Sequence, residues 1–149
     1  EAWGAIDGDV LVLIFAMLAV GVALEQAGSV AMMVGWITPL MQVAPPWALI
    51  FIVYFAALIL SELLSNNAVA ALMTPIVIAL AHQLQVDARP LVIALMIGAS
   101  ACFATPIGYQ TNALVYAAGD YRFADFVRIG VPLNIIVGLA VCGALVLLG

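Results

Sequence analysis

Ser61-Glu62-Leu63-Leu64-Ser65-Asn66-Asn67 interrupts a long apolar chain near its middle, and the nature of that interruption decides the fold. Upstream, Pro45 and Pro46 open a block that runs from Trp47 to Leu64, and proline suits the first turn of a helix. Downstream, Ala68 to Ala81 gives about 14 helical residues, or about 21 Å, which is short for a bilayer crossing. Ser and Asn are favoured turn residues, so the stretch fits an exposed connection between two transmembrane helices. It fits equally the tip of a re-entrant hairpin that reaches the membrane interior. At such a tip, asparagine carbonyls and freed helix-end carbonyls coordinate a small cation. Hydroxyls, amides and the N-terminus of the second arm receive an anion.

Composition makes the bilayer the solvent of this fold. Of 149 residues, 68% are hydrophobic and 7% charged, too few charges to cover the surface of a water-soluble domain of this size. No charge occurs from Gln26 to Ser61, from Leu63 to Val86, from Pro90 to Gly119, or after Arg128. Seven of the eight acidic residues lie at or near the ends of apolar blocks, where water is available. The three arginines form no basic patch, which excludes nucleic acid as a partner. Cys102 and Cys142 lie inside apolar runs and read as buried small hydrophobes, not as a disulfide. No metal-ligand spacing and no nucleophile–base arrangement appears, so an enzyme is disfavoured, with no catalytic residue, cofactor or transition metal expected. Nothing before the first block has the form of a signal peptide, and the succession of blocks reads as a segment of a polytopic protein.

Five parts are expected within one membrane segment, 1–149: a transmembrane helix at 9–25, an interfacial helix at 30–43, the hairpin at 46–81 with its tip at 65–67, a broken transmembrane helix at 90–118, and a last span at 131–148. The break in the fourth is Thr105-Pro106-Ile107-Gly108-Tyr109-Gln110-Thr111-Asn112. Pro106 lacks an amide hydrogen and Gly108 lets the chain unwind. A packing kink accounts for the proline. It does not account for five side chains with hydrogen-bonding groups in these eight residues, beside a long apolar run. The piece from Tyr109 to Ala118 is about 10 residues long and cannot cross as a helix. Broken backbone at membrane depth is tolerated only inside protein or beside a water-filled cavity, and it points to a transporter binding site.

The two clusters together resemble the divalent-anion/sodium symporter family, within the wider citrate-transporter and ion-transporter superfamily. Ser61-Glu62-Leu63-Leu64-Ser65-Asn66-Asn67-Ala68 is similar to the family's hairpin-tip signature, Ser-Asn-Thr preceded closely by a Thr-Glu or Ser-Glu pair. Pro106-Ile107-Gly108-Tyr109-Gln110-Thr111-Asn112 is similar to its broken-helix signature, and Tyr121 to Asn134 to the link into its last helix. Asp7 to Gly28 looks like the helix before the hairpin, so the likeness covers nearly the whole chain.

The resemblance implies an all-α integral membrane protein, half of an elevator-type carrier built from two inverted repeats. This chain looks like most of the second repeat, with the N-terminal half as its missing partner and a homodimer as the usual assembly. The family's second sodium site falls on Ser61, Asn66, Pro106 and Gly108. Substrate contacts fall on Asn66, Asn67, Tyr109 and Gln110, with Ser65, Thr105 and Asn112 in support. Asn67 departs from the family's threonine, and Tyr109-Gln110-Thr111 from its Thr-Pro-Pro form. An amide offers both donor and acceptor where a hydroxyl would sit, so sulfate is as plausible as a dicarboxylate. The expected activity is secondary transport of a small divalent anion with Na+ as coupling ion. A channel or pore subunit, a non-transporting scaffold, and an arsenite- or citrate-type permease are the alternatives.

Glu62 is the only charge embedded in a long apolar run. It reads either as a cation or proton site or as a hydrogen-bonded brace for the hairpin backbone, and the second is favoured. Trp3, Trp36 and Trp47 read as interface anchors. Gly98, Gly138 and Gly143 are expected at close helix contacts. Arg122 and Arg128 place the last loop in the cytoplasm and the C-terminus outside, in a multi-pass protein of the plasma (inner) membrane.

Overall fold

A computed structural model of the chain describes residues 12, 15, 16, 19, 20, 22, 23, 26–41 and 43–148. Six helices can be bounded: α1 Ser29–Met41, α2 Pro46–Ser61, α3 Asn66–Leu84, α4 Ala88–Ser100, α5 Gln110–Ala118 and α6 Phe123–Leu148. No strand occurs among the described residues. Within the block expected at 9–25, the described residues are helical and exposed, while both of its ends lie outside the described residues.

Local chemistry sets the boundaries. Pro46 opens α2, where a missing N–H costs nothing. Ser65 caps α3, its hydroxyl accepting from Ala68 N. Asn66 and Asn67 therefore form the first turn of α3, and the turn of the hairpin is residues 62–65, not 65–67. The second arm is also longer than 68–81: α3 has 19 residues and ends where Gln85 adopts a left-handed conformation at φ 55°. Its polar last turn, with His82 and Gln83, continues helical hydrogen bonding past the apolar stretch. Hydropathy finds the edge of the apolar block, whereas the backbone stops only at the cap.

The same difference recurs in α6. Its apolar run suggests a start at 131, but the helix begins at Phe123. Asp125 explains the extra turns, because its Oδ2 accepts from the Arg122 N–H at the helix entrance and its charge suits the N-terminal dipole. In α4 the backbone leaves the helix at Ala101, before the Thr105-Pro106 pair, and helix resumes at Gln110. Two of the helices, α3 and α6, are long and apolar enough to cross a membrane.

The core is the seam between α2 and α4, joined by α3 on one side and α6 on the other. Leu49, Val53, Tyr54 and Ala57 of α2 meet Leu91, Ala94 and Leu95 of α4 in one buried cluster with Val69 and Val77 of α3. Tyr54 is fully buried at its centre. Gly98 lets α4 lie against α2: a Cβ there would stand 2.5 Å from the Tyr54 carbonyl oxygen. Gly138 does the same for α6 against the Tyr54 ring, at 2.6 Å. For Gly143, nothing among the described residues lies within 4 Å of its Cβ position. The helix α1 rests on α3 through Val30, Val34 and Leu80, with the Thr38 hydroxyl between Val34 O and Gln83 Oε1.

A Gly98→Ala substitution is expected to force the α2 and α4 backbones apart and cost about 1–3 kcal/mol, the usual range for overpacking. Thermal unfolding in detergent measures it, and an unchanged midpoint would show that this contact does not set the interhelical distance.

Candidate functional site

The turn after α2 and the unwound stretch 101–109 lie against each other. Ser61 is the last residue of α2 and is fully buried. Its hydroxyl approaches two oxygens, Asn66 Oδ1 at 2.7 Å and the carbonyl of Ala99. The Ala99 carbonyl is free to accept because α4 ends one residue later, leaving its last carbonyls without helical partners. One hydroxyl proton cannot serve both acceptors at once. The hydroxyl can donate to the Ala99 carbonyl while the Cys102 thiol serves Asn66 Oδ1, and three oxygens, Ser61 Oγ, Asn66 Oδ1 and Ala99 O, lie together.

Cys102 connects this cluster to Gly108. Its thiol lies 3.2 Å from Asn66 Oδ1 and 3.5 Å from the Gly108 carbonyl oxygen. Gly108 itself sits against the turn: a Cβ there would be 3.0 Å from Cys102 Cβ and 3.3 Å from both Glu62 Oε2 and the Ser61 carbonyl oxygen. A larger side chain has no room without displacing backbone. Positions 66 and 108 thus share one locus, although 42 residues separate them in sequence.

The unwound backbone is held by side chains. Glu62 Oε1 accepts from Ala104 N at 2.9 Å and from Asn134 Nδ2 of α6 at 3.0 Å. The Thr105 hydroxyl reaches the Glu62 carbonyl at 3.4 Å and accepts from Gly108 N at 3.1 Å. Asn112, in the first turn of α5, donates through Nδ2 to Cys102 O at 2.8 Å and Thr105 O at 3.1 Å. Gly130 of α6 closes the back of the loop, where a Cβ would collide with the Phe103 carbonyl.

Four helix ends converge here. The C-terminal ends of α2 and α4, at Ser61 and Ser100, carry partial negative charge, and the N-terminal ends of α3 and α5, at Asn66 and Gln110, carry partial positive charge. The first pair suits a cation and the second an anion.

The expected site residues divide accordingly. Ser61, Asn66, Thr105, Pro106, Gly108 and Asn112 come together, with Pro106 buried. Ser65 serves as the α3 cap at the margin. Asn67 and Tyr109 are exposed beside this cluster. The backbone of Gln110 starts α5, and its side chain lies outside what the structure describes. Four contributors were not assigned to the site from sequence: Glu62, which reads there as a brace for the hairpin backbone but bonds Ala104 of the unwound loop, Cys102, the Ala99 carbonyl and Asn134. Asn134 carried a signal, as an amide deep in the last apolar block. Cys102 and Ala99 carried none, because one reads as a core thiol and the other contributes only backbone.

A helical membrane transporter is the class that these features define. The family model described as "Citrate transporter" matches residues 1–149, and the chain belongs to that family of transporters, in line with its resemblance to the divalent-anion/sodium symporters. It is 39% identical over 140 residues to an uncharacterized transporter of Synechocystis, covering 94% of this chain and 23% of that protein. It is 39% identical over 132 residues to sodium/sulfate cotransporter 1 of Chlamydomonas reinhardtii, covering 88% of the chain and 15% of that protein. Against solute carrier family 13 member 2 of Rattus norvegicus the identity is 29% over 133 residues, covering 89% of the chain and 22% of that protein. The chain thus spans less than a quarter of the length of these relatives.

Replacing Asn112 by Ala removes both bonds to the unwound loop and is expected to cost about 1–3 kcal/mol, as for other buried acceptors left unpaired. Maleimide labelling of Cys102, identified by mass spectrometry, should accelerate in that variant. Unchanged protection of Cys102 would show that Asn112 does not hold the loop.

Proposed function

We propose that this chain supplies one half of the ion and substrate site of a secondary carrier that takes up a small divalent anion, sulfate or a dicarboxylate, with Na+ as the coupling ion. One observation carries the proposal: two helix breaks, distant in sequence, meet at Asn66, Cys102 and Gly108, with helix C-ends and N-ends gathered around them. Broken helices of this kind bind ions through freed carbonyls and anions through helix N-termini. Ser61 Oγ, Asn66 Oδ1 and Ala99 O are hard oxygen ligands gathered at one point, the ligand type that suits Na+. The exposed amide of Asn67 and phenol of Tyr109 stand where an anion at the N-ends of α3 and α5 would find donors. The relatives named as sodium/sulfate cotransporters support both the anion class and the ion.

In this arrangement α2 and α3 are the arms of a re-entrant hairpin, and α4 and α5 the halves of a broken transmembrane helix. The polar end of α3 projects beyond the hydrocarbon. The N-terminal half of the carrier completes the site from its own repeat, and the assembly is a homodimer, as the family likeness implies. The carrier lies in the plasma membrane with the α5–α6 loop in the cytoplasm.

Sodium-dependent uptake of radiolabelled sulfate and succinate by the intact carrier tests the assignment. Asn66→Ala and Gly108→Leu are each expected to reduce uptake by at least about tenfold at unchanged expression, the loss that attends removal of a charge-assisted contact or the filling of its place. Full uptake in both variants would remove the site from this locus, and flux without saturation or coupling would favour a channel. Separately, single cysteines placed at 120–125 should label only from the cytoplasmic side, and labelling from outside would invert the topology.

A further inference from the structure

Two buried oxygens have no hydrogen-bond partner among the described residues: Glu62 Oε2 and Asn134 Oδ1. They belong to the two groups that the Nδ2···Oε1 bond already joins, so they are neighbours across one carboxylate–amide contact. Asn134 is 3% exposed, and its other amide atom is committed to Glu62. As bare oxygens both orphans are acceptors, and one positive charge held between them would satisfy both. A buried carboxylate oxygen needs a positive partner, and the arginines at 122 and 128 lie on exposed positions toward the start of α6. Each orphan loses its water without gaining a donor, an expensive arrangement unless something occupies the gap.

We propose that a small monovalent cation binds between Glu62 Oε2 and Asn134 Oδ1, a second position beside the one assigned to Ser61, Asn66 and Ala99. The chemistry fits: a carboxylate and an amide carbonyl are hard oxygen donors, and one carboxylate matches one positive charge. Its place explains what the ion does. Glu62 holds Ala104 of the unwound loop through Oε1, and Asn134 reaches in from α6. Filling the gap locks the α2–α3 turn, the loop and α6 together, so the cation strengthens the anion site without touching the anion. Asn66 touches neither orphan oxygen, which keeps the two positions chemically separate.

The inference rests on sodium coupling as proposed above, and the test separates the two. In the intact carrier, initial uptake is measured against Na+ concentration, with choline as replacement, for the parent protein and for Glu62→Gln. Glutamine keeps the size of the side chain and an oxygen for Ala104 N, while its new amide hydrogens can satisfy Asn134 Oδ1. Uptake is normalised to the amount of each protein in the membrane. Its Na+ dependence should be less steep, with the Hill coefficient lowered by about one, and its half-saturating Na+ raised roughly tenfold, as for loss of one charge-assisted contact. Asn134→Asp, which adds a second carboxylate, should lower the half-saturating Na+ instead. A Na+ curve for Glu62→Gln that superimposes on the parent's would overturn the inference. So would an unchanged Na+ curve with an altered pH dependence of uptake, since the occupant would then be a proton. If the parent itself shows no Na+ dependence, it is the coupling proposal that fails. Should Glu62→Gln not express, Na+-induced thermal stabilisation of the purified parent and Asn134→Asp decides the matter, with equal stabilisation of the two counting against the site.

Discussion

Where a chain leaves the helix inside hydrocarbon, every freed N–H and C=O must find a partner within the protein, because no water is there to supply one. The stretch between α4 and α5 leaves the helix too, and side chains meet several of its freed groups. Glu62 takes the Ala104 N–H, Asn112 takes the Cys102 and Thr105 carbonyls, and the Thr105 hydroxyl takes the Gly108 N–H. Remove those contacts and the segment has reason to become helical again. Glu62, Thr105 and Asn112 are therefore explained first by the backbone they satisfy, and only then by any ligand.

That requirement also shapes the packing around the site. The loop must come close enough to the α2–α3 turn for a carboxylate to reach it, and closeness is provided by small residues. Gly98 seats α4 on α2, Gly130 admits the loop backbone against α6, and Gly108 leaves its own surface open beside Ser61 and Glu62. Tyr54 is the shared reference, touching α4 through its carbonyl and α6 through its ring, while its hydroxyl is 3.5 Å from the Asn134 carbonyl. The α2–α4–α6 seam thus sets where the turn and the loop meet.

The gathering of oxygens at the centre is the part most relevant to transport. Ser61, Asn66 and Ala99 bring three oxygens together, and Glu62 and Asn134 each keep one buried oxygen without a partner among the described residues. Groups arranged in this way are poorly satisfied alone and better satisfied by a positive charge. An anion beside them would in turn be better held once that charge is present. In the proposed carrier, coupling between ion and anion would need no long-range path, because both would bear on the same turn and loop.

Much of this was legible in the residues. The apolar blocks, the two polar interruptions and the short helical piece after Gly108 come from composition and length, since a bilayer leaves few options for a charge-poor chain. Ser61, Asn66, Gly108 and Asn112 could be singled out because polar groups and glycine are costly there without a function. Helix ends were less legible: α3 and α6 extend past their apolar runs because capping by Gln85 and Asp125, not hydropathy, stops or starts the backbone. The folded structure alone decided which atoms meet. That Cys102 bridges Asn66 to Gly108, that Ala99 contributes a carbonyl, and that Asn134 faces Glu62 across 72 residues depend on how α2, α4 and α6 pack. Sequence records which groups need partners, but distance in space selects the partner.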